Sequence, residues 1–275
     1  MFGGLTIRGR VLGACSGPGP TRVHLFDLGE RERRGGFVLE GEPGKASPAC
    51  AGLGLDASGR VLFCEPEAHR LRIFSAFGHE EGSPVALAEG VVARDRRGLL
   101  VEPRRVLVGD GGGENLVLLL GGASWVHALQ EFGRGGDFVR SYASLGRRGE
   151  PFRGACDLAG LGEELWVLER IPSRVQMFRR GGSYLGVLEL GSFTASSPVS
   201  LGVYPEGFFV LFEGGDLRWI DRDLREKGRL RVDPGFERIA VEGAGIPWLL
   251  DPVREVLLRP SLGMGGGEAE QFELG

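Results

Sequence analysis

The chain has 275 residues, a formal net charge of -4 and 42% hydrophobic residues, enough to bury a core within one large domain. Acidic and basic residues are mixed along its length, so no electrostatic field favours nucleic acid or an anionic membrane as partner. No run of about eighteen apolar residues predicts a transmembrane helix. LGAC at 12–15 follows a short segment carrying Arg8 and Arg10 without an apolar stretch, which does not make a lipoprotein leader, so the expected setting is soluble and cytoplasmic.

Taken in order, the chain predicts short strands divided by turns. A first unit runs from GGLTI (3–7) through RVLGACS (10–16) and TRVHLFD (21–27) to FVLEG (37–41). A second reads AGLGLDA (51–57), RVLFCE (60–65), RLRIF (70–74) and PVALAE (84–89), and its GRVL at 59–62 repeats the GRVL at 9–12. The third is irregular: RVLVGD (105–110), NLVLLL (115–120), WVHALQEF (125–132) and DFVRSYASL (137–145). The fourth, within 151–190, is the most regular, with ELWVLE, RVQMF and YLGVLEL separated by turn residues in IPS and RRGG. SLGVYP, FFVLFE, DLRWID and GRLRV make a fifth; RIAVEG, PWLLD, EVLLRP and EQFEL make a sixth. Gly, with 49 residues, interrupts the pattern too often for long helices.

One strand per unit follows an R-V-x-L-F theme: TRVHLF, HRLRIF, WVHAL, SRVQMF, DLRWI and REVLL. Its last members, Phe26, Phe74, Leu129, Phe178, Ile220 and Leu258, recur about every 40 to 55 residues, the period of a four-stranded propeller blade. Pro48, Pro103, Pro151, Pro198 and Pro234 each precede a unit's first strand, where proline loses no ladder hydrogen bond. The fold class is therefore all-β: a six-bladed β-propeller of four-stranded antiparallel blades. It forms one domain, 1–275, with blades near 1–45, 46–90, 91–149, 150–193, 194–233 and 234–275. Because GGLTI already supplies an inner strand and EQFEL an outer one, the ring is expected to close without exchange of a strand between blades.

Units such as SPACAGLGLDASGRVLFCEPEAHRLRIFSAFG and EPFRGACDLAGLGEELWVLERIPSRVQMFRRGGSYLG resemble NHL repeats, which build six-bladed propellers. The shared pattern is a Pro before the inner strand, a short Gly-containing turn, a second strand ending in an acid, and an R-V-x-x-F third strand. It departs where that acid is missing, with Cys15 in its place in blade 1 and Gly121 or a neighbour in blade 3. The resemblance implies a binding platform for a protein or other macromolecule, presented through one loop face.

The remaining residues are weighed for chemistry. Cys15, Cys50, Cys64 and Cys156 form no C-x-x-C and are expected to be free core thiols. His24, His69, His79 and His127 have no metal spacing, and His24 and His127 are expected at equivalent third-strand positions. No nucleophile elbow or phosphate loop occurs; GDGGGE (109–114) and GMGGGE (263–268) lack the lysine and following helix, so both are read as turns. Glu65, Glu169 and Asp251 precede Arg70, Arg174 and Arg254 across a turn and are expected to staple it. Trp125, Trp166, Trp219 and Trp248 are expected between blades. No catalytic residue, metal ligand or cofactor is assigned.

Two places remain for function. Asp157 and Arg238, charged residues in inner strands, are channel-lining candidates, or else fasten adjacent blades. Arg94, Arg96 and Arg97 before blade 3, with Arg147, Arg148 and Arg153 before blade 4, fall in long outer-to-inner connections on one face. Arginine recognises carboxylate or phosphate, and Phe152 would add an apolar anchor; the expected partner is a protein or acidic ligand. A solvated face paired to Asp95, Glu102 and Glu150 fits the same residues. The alternative is a metal-dependent propeller hydrolase or lyase, resembling the lactonase and lyase families, with a channel active site.

Overall fold

The computed structural model describes residues 3–16, 21–39, 50–86, 100–109, 115–120, 128–142, 152–191, 193, 196–243, 245–262 and 269–274. Among them lie six antiparallel sheets of four strands, each a meander in chain order. Strands β1 to β4 (Gly4–Arg8, Val11–Ser16, Thr21–Asp27, Glu32–Leu39) form blade 1, and β5 to β8 (Gly52–Leu55, Val61–Glu65, Arg70–Phe74, Glu80–Ala86) form blade 2. Blade 3 is β9 to β12 (Pro103–Val108, Leu116–Leu120, Leu129–Phe132, Phe138–Ser141). Blade 4 is β13 to β16 (Ala155–Leu161, Glu164–Glu169, Arg174–Arg179, Tyr184–Glu189). Blade 5 is β17 to β20 (Pro198–Tyr204, Gly207–Phe212, Asp216–Asp221, Glu226–Arg231), and blade 6 is β21 to β24 (Arg238–Glu242, Ile246–Asp251, Val256–Arg259, Glu270–Glu273).

The inner strands β1, β5, β9, β13, β17 and β21 neighbour one another in that order, and β21 meets β1. The protein is thus a six-bladed β-propeller, and its ring closes without strand exchange because every strand of blade 6 comes from the C-terminal segment. Pro103 and Pro198 open β9 and β17, the strand-mouth position in which a missing N–H is harmless. The inner strands crowd the axis, and there glycine is required: a Cβ on Gly52 would overlap the Arg104 carbonyl of the next blade.

Alternation sends successive side chains to opposite faces of each blade, so the core is not a single centre but six apolar wedges, one per junction. Leu25, Leu53 and Phe63 join blades 1 and 2; Leu62, Val106 and Phe132 join 2 and 3; Val117, Leu158 and Phe178 join 3 and 4. Trp166 and Phe208 join 4 and 5, Phe209 and Leu249 join 5 and 6, and Leu12, Trp248 and Leu274 seal 6 to 1. Trp166, Trp219 and Trp248 all lie in these wedges, whereas Trp125 lies outside the described residues.

Three readings of the sequence are corrected. Cys15 and Cys50 are not free thiols but a disulfide that ties β2 to the segment entering β5. Sequence spacing could not reveal it, since the pairing depends on blades 1 and 2 lying side by side. Cys64 and Cys156 are free. In blade 3 the register of the third strand differs from the expected one, Phe132 and not Leu129 standing where Phe26 does: Gln130 pairs with Leu118 as His24 pairs with Ala14, and Phe132 pairs with Leu116 as Phe26 pairs with Leu12. His127 is therefore not the counterpart of His24 and lies outside the described residues. The blade 1 counterpart of Glu169 is Ser16, not Cys15, because Ser16 pairs with Arg22 as Glu169 pairs with Arg174.

His24 is buried, with neither ring nitrogen bonded among the described residues. Burial first, then Arg33 on β4 and Arg22 on its own strand, push its pKa down to about 4, opposed by Glu255 of blade 6. The unfolded chain takes up this proton near 6.5 while the fold resists it down to about 4. Stability is therefore whole above about pH 6.5 and falls towards pH 4, by up to about 3 kcal/mol. Urea titrations between these pH values should show the slope in the wild type and lose most of it in His24→Leu; an equal slope in both would contradict the assignment. Trp166→Ala and Phe178→Ala should each cost about 3–5 kcal/mol, read from denaturation midpoints. Reduction of the Cys15–Cys50 bond should cost about 2–4 kcal/mol by the same measurement.

Candidate functional site

Asp157 sits on β13 just past a register shift between Ala155 and Asp157, and Ser200 sits past the corresponding shift on β17. These irregularities turn a polar side chain of each inner strand towards the next blade. Asp157 is buried and fully used: Oδ1 accepts from Arg105 Nε at 2.5 Å, while Oδ2 accepts from Ser200 Oγ at 2.5 Å and from the Leu201 amide at 2.9 Å. Arg105, on β9, also donates from Nη1 to the Ala51 carbonyl of blade 2. Ser200 Oγ accepts from the Ile239 amide of blade 6 at 3.0 Å. Arg238 Nε donates to the Gly3 carbonyl at 3.0 Å, and the Gly3 amide donates to the Cys50 carbonyl at 2.8 Å.

These bonds cross all six junctions and form a continuous belt around the axis. Burial pushes the Arg238 pKa down to about 9, helped by the like charge of Arg105 and opposed by Asp157 and Glu237. The group stays charged at neutral pH. Burial also pushes the Cys64 and Cys156 thiols up to about 12, so neither is a nucleophile at neutral pH. Asp157 and Arg238 were visible in the sequence as charges in inner strands. Their connectors Arg105 and Ser200 were not, because only adjacency of blades 3, 4 and 5 gives them a partner.

Turns between second and third strands share a face with the connections between blades: the Glu102 amide donates to His69 Nδ1 at 3.0 Å, and the Arg170 amide to the Gly154 carbonyl at 3.1 Å. The buried acids close these turns. Glu169 accepts from Arg174 Nε at 2.6 Å, Gln176 Nε2 at 2.8 Å and the Arg153 amide; Asp251 accepts from Arg254 Nε at 2.5 Å, and Glu65 from Arg70. Blade 1, lacking this acid, borrows one: Glu255 of blade 6 accepts from Ser16 Oγ at 2.9 Å and Arg22 Nη1 at 3.3 Å. The staple thereby becomes a clasp across the closure seam.

On this face Arg153 is exposed. Phe152 is not the surface anchor expected: it is buried at 3% exposure and packs on Phe178, ring centroids 5.6 Å apart, in the wedge between blades 3 and 4. The segment entering β13 sends Phe152 into the wedge and leaves its neighbour Arg153 in solvent. Arg94, Arg96, Arg97, Arg147 and Arg148 lie outside the described residues. The same face exposes Ile171 at the β14–β15 turn and Val253 at the β22–β23 turn, 76% and 68% accessible. Among the described residues no group of three or more His, Cys, Asp and Glu could hold a metal.

No family model and no curated protein matches the chain. Among solved structures it is similar to the crystal structure of a nidogen/laminin complex, with 14% identity over 84% of this chain and 80% of that one and a TM-score of 0.60. It is also similar to virginiamycin B lyase from Staphylococcus aureus, at 13% identity over 98% of this chain and 83% of that one, TM-score 0.60. A catalytically inactive form of that lyase with quinupristin gives 0.59. At such identities the likeness is one of fold. No helix among the described residues is long and apolar enough to cross a membrane.

Asp157→Ala strands Arg105, Ser200 and the Leu201 amide together, and should cost about 3–5 kcal/mol. Ser200→Ala, which removes one donor and one acceptor, should cost less. Equal midpoints for wild type and Asp157→Ala would show that the belt is not what holds the inner strands.

Proposed function

We propose that this propeller is a non-enzymatic, NHL-like binding platform whose partner, a protein or an acidic ligand, docks on the face formed by the inter-blade connections and the second-to-third-strand turns. One observation carries the reading: Asp157, the acid of the inner belt, spends its acceptors on neighbouring blades, leaving recognition to the rims. The rim on this side offers two large exposed apolar side chains, Ile171 and Val253, at turn tips held rigid by the buried staples of Glu169 and Asp251. Rigid apolar tips lose little entropy on docking, which makes them suited to anchor a partner. Exposed Arg153 and the arginines 94, 96, 97, 147 and 148 of the same connections would add charge recognition of carboxylates.

The NHL resemblance rests on the proline and the acid of blades 2 and 4, with R-V-x-x-F in the third strand of blade 4 and R-L-x-x-F in that of blade 2. The test compares wild type with two variants, Ile171→Asp/Val253→Asp and Arg96→Glu/Arg148→Glu, in capture of partners from native lysate. Both variants should keep the wild-type denaturation midpoint and lose at least tenfold in recovery of a specific partner. Identical recovery by all three proteins would overturn the proposal. A copurifying divalent metal together with hydrolase or lyase activity would shift it to the enzyme alternative.

A further inference from the structure

The opposite face, which carries the first-to-second and third-to-fourth turns, draws two guanidinium groups to the rim of the channel. Arg8, the last residue of β1, reaches sideways across the ring: Nη1 donates to the Leu55 carbonyl of blade 2 and Nη2 to the Gly109 carbonyl of blade 3, each at 3.2 Å. Arg180, in the β15–β16 turn of blade 4, folds inward from the other side. Its main-chain amide is tied to the Glu163 carbonyl at 2.7 Å, which aims the side chain over the inner strands. Nη1 then lies 3.2 Å from where a Cβ on Gly109 would stand, and Nη2 lies 3.7 Å from the corresponding point on Gly160 of β13. Gly109, just past β9, and Gly160 of the adjoining β13 thus leave room for one guanidinium.

That guanidinium is out of keeping with its surroundings. On the same face Arg60 pairs with Asp56, Arg72 with Glu80 and Arg222 with Glu164. Among the described residues Arg180 has no carboxylate within salt-bridge distance, and its Nε is buried with no acceptor. A buried donor left unsatisfied costs about 1–3 kcal/mol. An oxyanion drawn to this guanidinium would supply the acceptor it lacks. The chain as a whole is acidic, so this is a local arrangement and not the overspill of a basic surface.

We propose that Arg180, with Arg8 across Gly109, forms a receptor for a small oxyanion, a carboxylate or phosphate group, at this mouth of the channel. The site lies on the face opposite the docking surface proposed above, and neither depends on the other. At Gly109 the fold brings together guanidiniums from blades 1 and 4 that lie far apart in sequence.

The test titrates the full chain in chloride buffer with inorganic phosphate and, separately, with succinate, at matched ionic strength, by calorimetry and thermal unfolding. One saturable site should appear for at least one anion, with a rise in Tm that sodium chloride does not reproduce. A preference for phosphate or for succinate identifies which chemistry the site takes. Arg180→Gln should weaken binding at least tenfold while keeping or raising the Tm of the unliganded protein, since it removes an unsatisfied donor. Arg180→Lys should weaken binding of either anion less than Arg180→Gln does, because lysine keeps the charge and loses only the fork that pairs bidentately with carboxylate or phosphate. No saturable response to either anion, an equal response to chloride, or unchanged binding by Arg180→Gln would overturn the proposal.

Discussion

The inner belt is what allows six similar sheets to be one molecule. Each blade is a meander that could not bury both its faces alone, and apolar wedges by themselves are poorly directional. The belt supplies direction at the radius where blades are closest: Asp157 joins blades 3, 4 and 5, Ser200 passes the chain of bonds to blade 6, and Arg238 and Gly3 carry it through blade 1 to Cys50. Charges at this depth are tolerable because each is met by several partners, and a half-completed belt would be worse than an apolar one.

Closure between blades 6 and 1 puts particular demands on side chains, since no exchanged strand spans the seam. Several kinds of contact are concentrated there. Glu255 stands in for the missing blade 1 acid, Arg31 pairs with Glu270 at 2.6 Å, Leu12 packs with Trp248 and Leu257, and Arg33 reaches the Leu274 carbonyl at 3.4 Å. The Cys15–Cys50 bond then anchors blade 1 on its other side. Blade 1 is thus held on both sides by side-chain chemistry, and it also contains the buried His24, whose ring nitrogens have no partner among the described residues.

The belt uses its polar groups between neighbouring blades, and the two faces differ in character. One has exposed apolar side chains at turns closed by buried acids; the other has a guanidinium seated against Gly109, just past β9, and Gly160 of β13. A ring of repeats suits such a division, for turns can vary on either face while the wedges and belt stay unchanged.

Strand order and blade number were legible in the sequence, with Trp166, Trp219 and Trp248 between blades, because they follow from local alternation and from turn residues recurring at one register. Blades 2 and 4 stood out through a Pro, an acid ending the second strand and an Arg-apolar-x-x-Phe third strand, and Asp157 and Arg238 stood out as charges in otherwise apolar or small-residue strands. What the linear pattern left open were pairings between residues far apart in the chain. The disulfide, the Glu255 clasp, the partners of Asp157 and the convergence of Arg8 and Arg180 on Gly109 all join different blades, and no local rule orders them. In blade 3 WVHAL satisfied the strand pattern, but pairing with β10 selected the segment three residues on. Phe152 beside Arg153 shows the same limit at its smallest scale: composition named two candidates for one surface, and only the direction of each side chain, set by the neighbouring blade, sent one into the core and left the other in solvent.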